Sequence, residues 1–332
     1  MAGWLDRLRY NPVQEMLQSG NDAASYFVRR DLLEERVEPI TYVWQLPEAQ
    51  KILRRQRHDG SWKYPGKRTI KYPKHHYGLL ETFKQFRLLV EKYELTREHP
   101  AGEKAAEFLF TCQTDDGDFR GMIGNQYATY YTGAIMAHLI KAGYEDDPRI
   151  ERGFQWLLSM RQDDGGWTIP LLTHSLDRET QYMLTSQHAD PLEPVRSKPF
   201  SHNWTDMVLR AFAAHPRYRE SEEARAAGDL LKSRFFKPDA YSSYKAASYW
   251  VRFAFWWPNL ITSLDSLSRM GFSRDDPDIK TALDWFIEHQ GPDGLWKVTY
   301  VKGKNVVDNE RNQERRLWVS LAICRIFKRF HG

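Results

Sequence analysis

This chain repeats itself, and the repeat leaves few folds open. Residues 143–167 read GYEDDPRIERGFQWLLSMRQDDGGW, and residues 271–296 read GFSRDDPDIKTALDWFIEHQGPDGLW. Both run glycine-aromatic, acidic pair, proline, an amphipathic stretch, glutamine, glycines and tryptophan. Asp147 and Asp276 stand where a helix N-cap belongs, and Pro148 and Pro277 at the first helical position, where a missing N–H costs nothing. Ile279, Ala282, Leu283, Phe286 and Ile287 form one apolar stripe at helical spacing. The glycines after Gln162 and Gln290 stop the helix and let the tryptophan fold back on it, so Trp62, Trp167 and Trp296 are expected to pack on their own turns.

Fainter copies occur at Arg54–Trp62, at Cys112–Phe119 with phenylalanine in place of tryptophan, and in degenerate form at Phe235–Tyr241. The closing aromatics at 62, 119, 167, 241 and 296 give a period of roughly 50–60 residues, with one long interval. Repeats of that size predict stacked helical hairpins. Helices are expected at 13–17, 22–36, 47–56, 75–93, 103–113, 127–142, 150–162, 203–214, 222–235, 259–270, 277–290 and 315–330. Residues 168–201, proline-rich and aperiodic, read as an irregular insertion. Glutamine-ending helices with one polar side alternate with helices such as 127–140, YATYYTGAIMAHLI, that are apolar nearly all round. One polar-faced and one doubly covered helix per repeat predicts two concentric rings in a single domain, 1–332, with parallel inner helices and touching chain ends.

Aromatics at 14% with 12 Trp exceed what a core of this size needs, and predict a lined cavity as well as turn packing. A net charge of +4 is too mild to argue for nucleic acid. Two cysteines, Cys112 and Cys324, make no disulfide framework and fit a reducing compartment. The N-terminal MAGWLDRLRY lacks the apolar core of a signal peptide and no apolar run spans a bilayer, so the expected location is cytoplasmic.

The Gln–Asp–Gly–x–Trp turns resemble the repeats of squalene–hopene cyclases and of protein prenyltransferase β subunits, members of the terpenoid cyclase superfamily. In segment order the chain is closest to single-domain bacterial prenyltransferase/squalene-oxidase-repeat proteins. The resemblance covers about Ala24 to Phe327. It implies an all-α fold, the α/α toroid, of about six hairpins. It also places the loops 63–77, 120–130, 168–206, 237–258 and 297–316 at one mouth of a central cavity.

Those loops are chemically uneven. Residues 62–80 carry Lys63, Lys67, Arg68, Lys71, Lys74, His75 and His76 without a carboxylate, and 241–257 are crowded with rings. A lysine run is commonly a solvated face, and an aromatic stretch commonly core. Together, ring walls and a cationic rim suit a hydrophobic, isoprenoid-like small molecule with an anionic head, and ring faces also stabilise a carbocation. Candidate substrate-binding residues are His75, His76, Tyr77, Tyr127, Tyr130, Trp204, Trp250, Trp256, Trp257, Arg315, Arg316 and Trp318. A peripheral membrane contact is a further expected partner, and nucleic acid is not.

The relatives' chemistry-bearing strings are absent: neither Asp-x-Asp-Asp nor Asp-Asp-x-x-Asp occurs, and the acidic doublets read as turns and caps. Neither cysteine matches the zinc triad of the prenyltransferases, so no metal or other cofactor is expected. What remains is single acids at inner helices. Asp206, following His202 and Trp204, and Asp265, in an otherwise apolar helix, are the candidate catalytic carboxylates, with His202 as a proton carrier. The expectation is an enzyme, terpene cyclase-like, working by acid–base rather than metal chemistry. The competing reading is a non-catalytic lipid-binding or protein-interaction toroid.

Overall fold

The structure is a computed structural model that describes residues 3–186, 188–241, 245–253, 257–303 and 307–332. The described residues are helical, with isolated two-residue bridges in place of any strand. The chain divides into two compact units, Trp44–Ala227 and the combination of Met1–Val43 with Gly228–Gly332.

The unit 44–227 contains α4 (Pro47–Leu53), α5 (His76–Tyr93), α6 (Pro100–Phe110), α7 (Thr129–Leu139), α8 (Pro148–Ser159), α9 (Arg178–Ser186) and α10 (His202–Ala214), and most of α11 (Glu222–Lys232). The hairpin grammar holds. In α7 every residue except Tyr131 is buried, whereas α8 buries only Ile150, Gly153, Phe154, Trp156 and Leu157, one face of it. Helices α5, α7 and α10 run parallel. Phe83 meets Tyr131 and, two turns on, Glu91 meets His138; Tyr130 meets Trp204 and, a turn on, Gly133 lies against Val208. Helix α8 runs the other way against α7, with Gly153 on Met136 and Trp156 on Tyr127.

The repeat turn is a hydrogen-bonded device with four parts. The aspartate accepts from the N–H two residues on: Asp59 from Ser61, Asp164 from Gly166, Asp293 from Leu295. The next glycine has positive φ, +83° at Gly60 and +81° at Gly294, a region costly for residues with a Cβ. The aromatic's backbone N–H donates to a buried hydroxyl on the following helix: Trp62 to Thr82, Phe119 to Thr132, Trp167 to Thr205 and Trp296 to Ser320, at 2.9–3.1 Å. Its indole, where present, donates to the carbonyl ten residues back: Trp62 to Ile52, Trp167 to Leu157 and Trp296 to Phe286. All three tryptophans are buried on their own turns, as the sequence predicts.

The glutamine links one repeat to another. Gln113 donates to Gly117 O in its own turn and to Arg149 O at the start of α8, both at 2.8 Å. Gln56 does the same with Gly60 and Ala101. Gln162, where the insertion intervenes, donates instead to Val195 and Lys198.

Two expectations need correcting. In the degenerate repeat, Asp239 accepts from Tyr241 N–H, so Tyr241 occupies the position of Ser61 and Leu295, one before the closing aromatic. Buried Trp250, its indole donating to Lys237 O at 2.9 Å and its ring 5.2 Å from Phe235, serves this region instead. The insertion is also less irregular than its sequence reads, since it contains α9. That helix buries no residue, so it has no apolar stripe to detect; the Asp177 carboxylate, accepting from Thr180 N–H at 2.9 Å, starts it.

The other unit holds α1 (Val13–Leu17), α2 (Asp22–Phe27) and its continuation as a π-helical turn to Leu32, then α12 (Leu260–Arg269), α13 (Pro277–Glu288) and α14 (Glu310–His331). The short α3 (Thr41–Trp44) straddles the boundary between the units. Here the two ends of the chain touch, as expected. Gln290 donates to Tyr10 O at 2.9 Å, Arg325 pairs with Asp31, and Trp318 packs on Phe27.

Candidate functional site

Within the unit 44–227, three of the five anticipated loops meet. His75 Nε2 donates to Arg120 O at 2.9 Å and His76 Nδ1 to Gly121 O at 2.6 Å. The approach is close enough that a Cβ on Gly121 would lie 2.7 Å from His75 Nε2. Buried Gln126 joins the second loop to the third, donating to Asp190 O and accepting from Leu192 N–H. Arg120 is held by Asp118 through two bonds of 2.6 and 3.0 Å and lies over the Tyr127 ring. Burial, with the Glu193 carboxylate, pushes the Tyr127 phenol up to about 12. Tyr77 is half-buried and accepts from Thr69 N–H; hydrogen bonds from Thr69 draw its phenol down. His75, His76 and Tyr127 therefore brace the loops against one another.

The remaining two loops meet in the other unit, where Phe253 N–H donates to Val298 O and Tyr300 N–H to Val251 O. Arg316 pairs with Asp293 at 2.8 Å, and Arg315 donates to Asn312 within α14. Trp318 donates to Glu314, one turn earlier, and Trp257 is half-buried. Trp256 lies outside the described residues.

The inner helices carry the carboxylates. Ser201 caps α10, accepting from Trp204 N–H, so Asp206 is not needed to start the helix. Asp206 is fully buried, and its Oδ2 accepts from Arg210 Nη2 at 2.7 Å and Nε at 3.1 Å. Two residues toward the N-terminus on the same helix, Trp204 packs on Tyr130 at 4.5 Å, and Tyr130 on Tyr131 at 4.4 Å. Burial raises the Tyr130 phenol well above its usual range, so it stays protonated. His202 opens the same helix and is buried. Asp265 has different surroundings: its side chain is 32% exposed and pairs with Arg269 at 3.1 Å and with Arg329, tying α12 to α14.

Sequence reasoning passed over a third polar group. His138, buried in α7, has Nδ1 2.6 Å from Ala134 O and Nε2 2.7 Å from Glu91 Oε1 on α5. Both ring nitrogens face acceptors, and burial draws the imidazole below its ordinary value against the pull of Glu91. Burial pushes the Glu91 carboxyl up, but His138, Lys141 and Arg87 outweigh it and bring it down to about 2. Arg87, one turn back on α5, is brought to about 10 by burial and by the nearby Arg210, against the pull of Glu91. Two signals were present: Phe83, Arg87 and Glu91 fall on one helical stripe, and His138 is the one long polar residue of 127–140.

Residues 85–190 match the family described as the squalene-hopene cyclase C-terminal domain. A probable squalene–hopene cyclase of Sinorhizobium fredii is 30% identical over 91 residues, 27% of this chain and 14% of that protein, so the chain spans far less than the length of this relative. Among solved structures, a type II terpene cyclase MstE variant from Scytonema, bound to geranylgeranyl dihydroxybenzoate, is similar at 12% identity and TM-score 0.45, over 99% of this chain and 87% of that one. An alpha-amylase from Clostridium perfringens is similar at 11% identity and TM-score 0.45, over 93% and 85%. The resemblance to squalene–hopene cyclases read from the repeat turns is thus found again over residues 85–190, the stretch from α5 to the start of the segment that follows α9.

Proposed function

We propose that this protein is a terpenoid-cyclase-like enzyme that acts by acid–base chemistry on a hydrophobic, isoprenoid-like substrate, with Asp206 as the group that handles the proton. The observation that carries this reading is a fully buried carboxylate two residues along α10 from Trp204, whose ring lies 4.5 Å from that of Tyr130. Ring faces attract a developing cation, and a buried carboxylate on the same helix can accept the proton that ends its reaction. Arg210 holds Asp206 in position from one side of its Oδ2. We place the chemistry here rather than at Asp265, because a partly exposed carboxylate shared between two arginines is a clasp between helices. His202, one turn before Asp206 on the same helix, is the proposed relay, and the substrate's polar or anionic head would lie toward the His75–Tyr77 loop.

A second reading, a non-catalytic lipid-binding protein, is favoured by one feature: the charged groups of α5, α7 and α10 pair with one another. The experiment that separates the two is incubation of the protein with linear prenyl alcohols, prenyl diphosphates and prenylated aromatics, with products followed by mass spectrometry. Turnover that disappears in Asp206→Asn, at unchanged helical content, is the expected result. Binding without product in the wild type favours the second reading. Full turnover in Asp206→Asn removes Asp206 from the reaction.

A further inference from the structure

The loop 63–74 presents an unusual surface. Lys63, Lys67, Arg68 and Lys74 are exposed and Lys71 half-buried, and none of the five makes an ion pair among the described residues. At the tip, Ile70 is 102% exposed, an apolar side chain wholly in water and flanked by Arg68 and Lys71. The loop is braced at its base. The Tyr77 hydroxyl accepts from Thr69 N–H at 2.9 Å, the Tyr64 and Tyr77 rings lie 4.8 Å apart, and His75 and His76 are tied to Arg120 and Gly121. A braced loop that displays an isoleucine has a use for it.

A second observation lies in the same loop cluster. Tyr72 packs on His188, just beyond α9, at 4.0 Å. Helix α9 buries no side chain, and its Tyr182 and Met183 are 70% and 43% exposed. Exposed large apolar side chains are few in this protein, and three of them belong to this cluster. The loop carries no carboxylate, whereas Asp177, Glu179, Asp190 and Glu193 lie on the neighbouring segment.

We propose that loop 63–74, with Ile70 as its inserted tip and α9 beside it, docks the protein reversibly on an anionic lipid surface. Cations near such a surface each strengthen binding by about fivefold, and the apolar tip adds burial at the headgroup boundary. A nucleic acid or acidic peptide would use the lysines but leave Ile70 in water, so the isoleucine decides for lipid. The inference rests on exposed groups and does not depend on the activity proposed above.

The test is flotation of the whole protein with phosphatidylcholine vesicles, with and without phosphatidylglycerol. Binding is expected only with the anionic lipid, and should weaken as salt is added. Replacing Lys67, Arg68 and Lys71 together by Gln should weaken it by about a hundredfold at an unchanged melting temperature. Ile70→Cys, labelled with a polarity-sensitive dye, should blue-shift on vesicles, with little background because Cys112 and Cys324 are buried. The proposal fails if anionic vesicles are not bound, or if the triple substitution leaves binding unchanged. It also fails if the dye stays in water while a single-stranded oligonucleotide or polyglutamate binds as tightly, which would make the loop a general polyanion site.

Discussion

Replacing His138 by Phe tests the buried pair that joins α5 to α7. The new ring is of similar size and meets Phe83, already 5.6 Å from the imidazole, so packing changes little. What changes is Glu91, which loses its 2.7 Å partner while the Arg87 and Lys141 charges still act on it. Leaving a buried polar group without its hydrogen-bond partner costs about 1–3 kcal/mol, and more for a charged one such as this carboxylate. The Glu91 side chain is 19% exposed, so water recovers part of this and about 2–3 kcal/mol is expected at neutral pH. The pH dependence gives a sharper signature. The folded carboxyl titrates at about 2 against an ordinary 4.5, so between those values the unfolded chain binds more protons than the folded one. Stability from this group is therefore complete above pH 4.5 and is lost as pH falls toward 2. At about 1.4 kcal/mol per pH unit the interval amounts to at most about 3 kcal/mol. Urea unfolding of both proteins at neutral pH and at successive acid pH values should give curves that converge as the medium is acidified. A stability difference that stays constant from neutral pH down to the acid limit would refute the reasoning, because the loss would then be packing rather than charge.

The repeat turns yield two more expectations. Trp167→Ala removes a fully buried indole and its 2.7 Å bond to Leu157 O, and should cost about 3–5 kcal/mol in urea unfolding without a separate effect on ligand affinity. Gln290→Leu leaves Gly294 O and Tyr10 O without their shared donor at the contact between the chain ends; about 1–3 kcal/mol should be lost, with faster amide exchange at residues 8–13 and 291–295.

The repeat made much of this fold legible before any coordinates. Asp147 and Asp276 cap their helices as their positions before proline predict, and α7 and α8 differ in coverage as their sequences do. These are local matters: a cap, a glycine at positive φ and an apolar stripe all act within one or two turns of chain. The hydroxyls of Thr82, Thr132, Thr205 and Ser320 escaped notice because each answers an aromatic N–H 13 to 38 residues away, across a hairpin. The misplacement of Tyr241 by one residue had the same origin, since only the Asp239 turn fixes the register.

The candidate site divides along the same line. Sequence alone determined that Asp206 and Asp265 lie on helices with little polar company, because composition along a helix is a one-dimensional property. It could not tell them apart. Tertiary structure did, by setting Arg329 of α14 beside Asp265 and leaving that carboxylate a third exposed, while burying Asp206 completely and pairing it with Arg210 of its own helix. The Glu91–His138 pair belongs wholly to the tertiary level. Its members stand 47 residues apart, and only the parallel packing of α5 on α7 puts a carboxylate against that imidazole. Burial and charge pairing are sums over neighbours in space, and the sequence orders only neighbours along the chain.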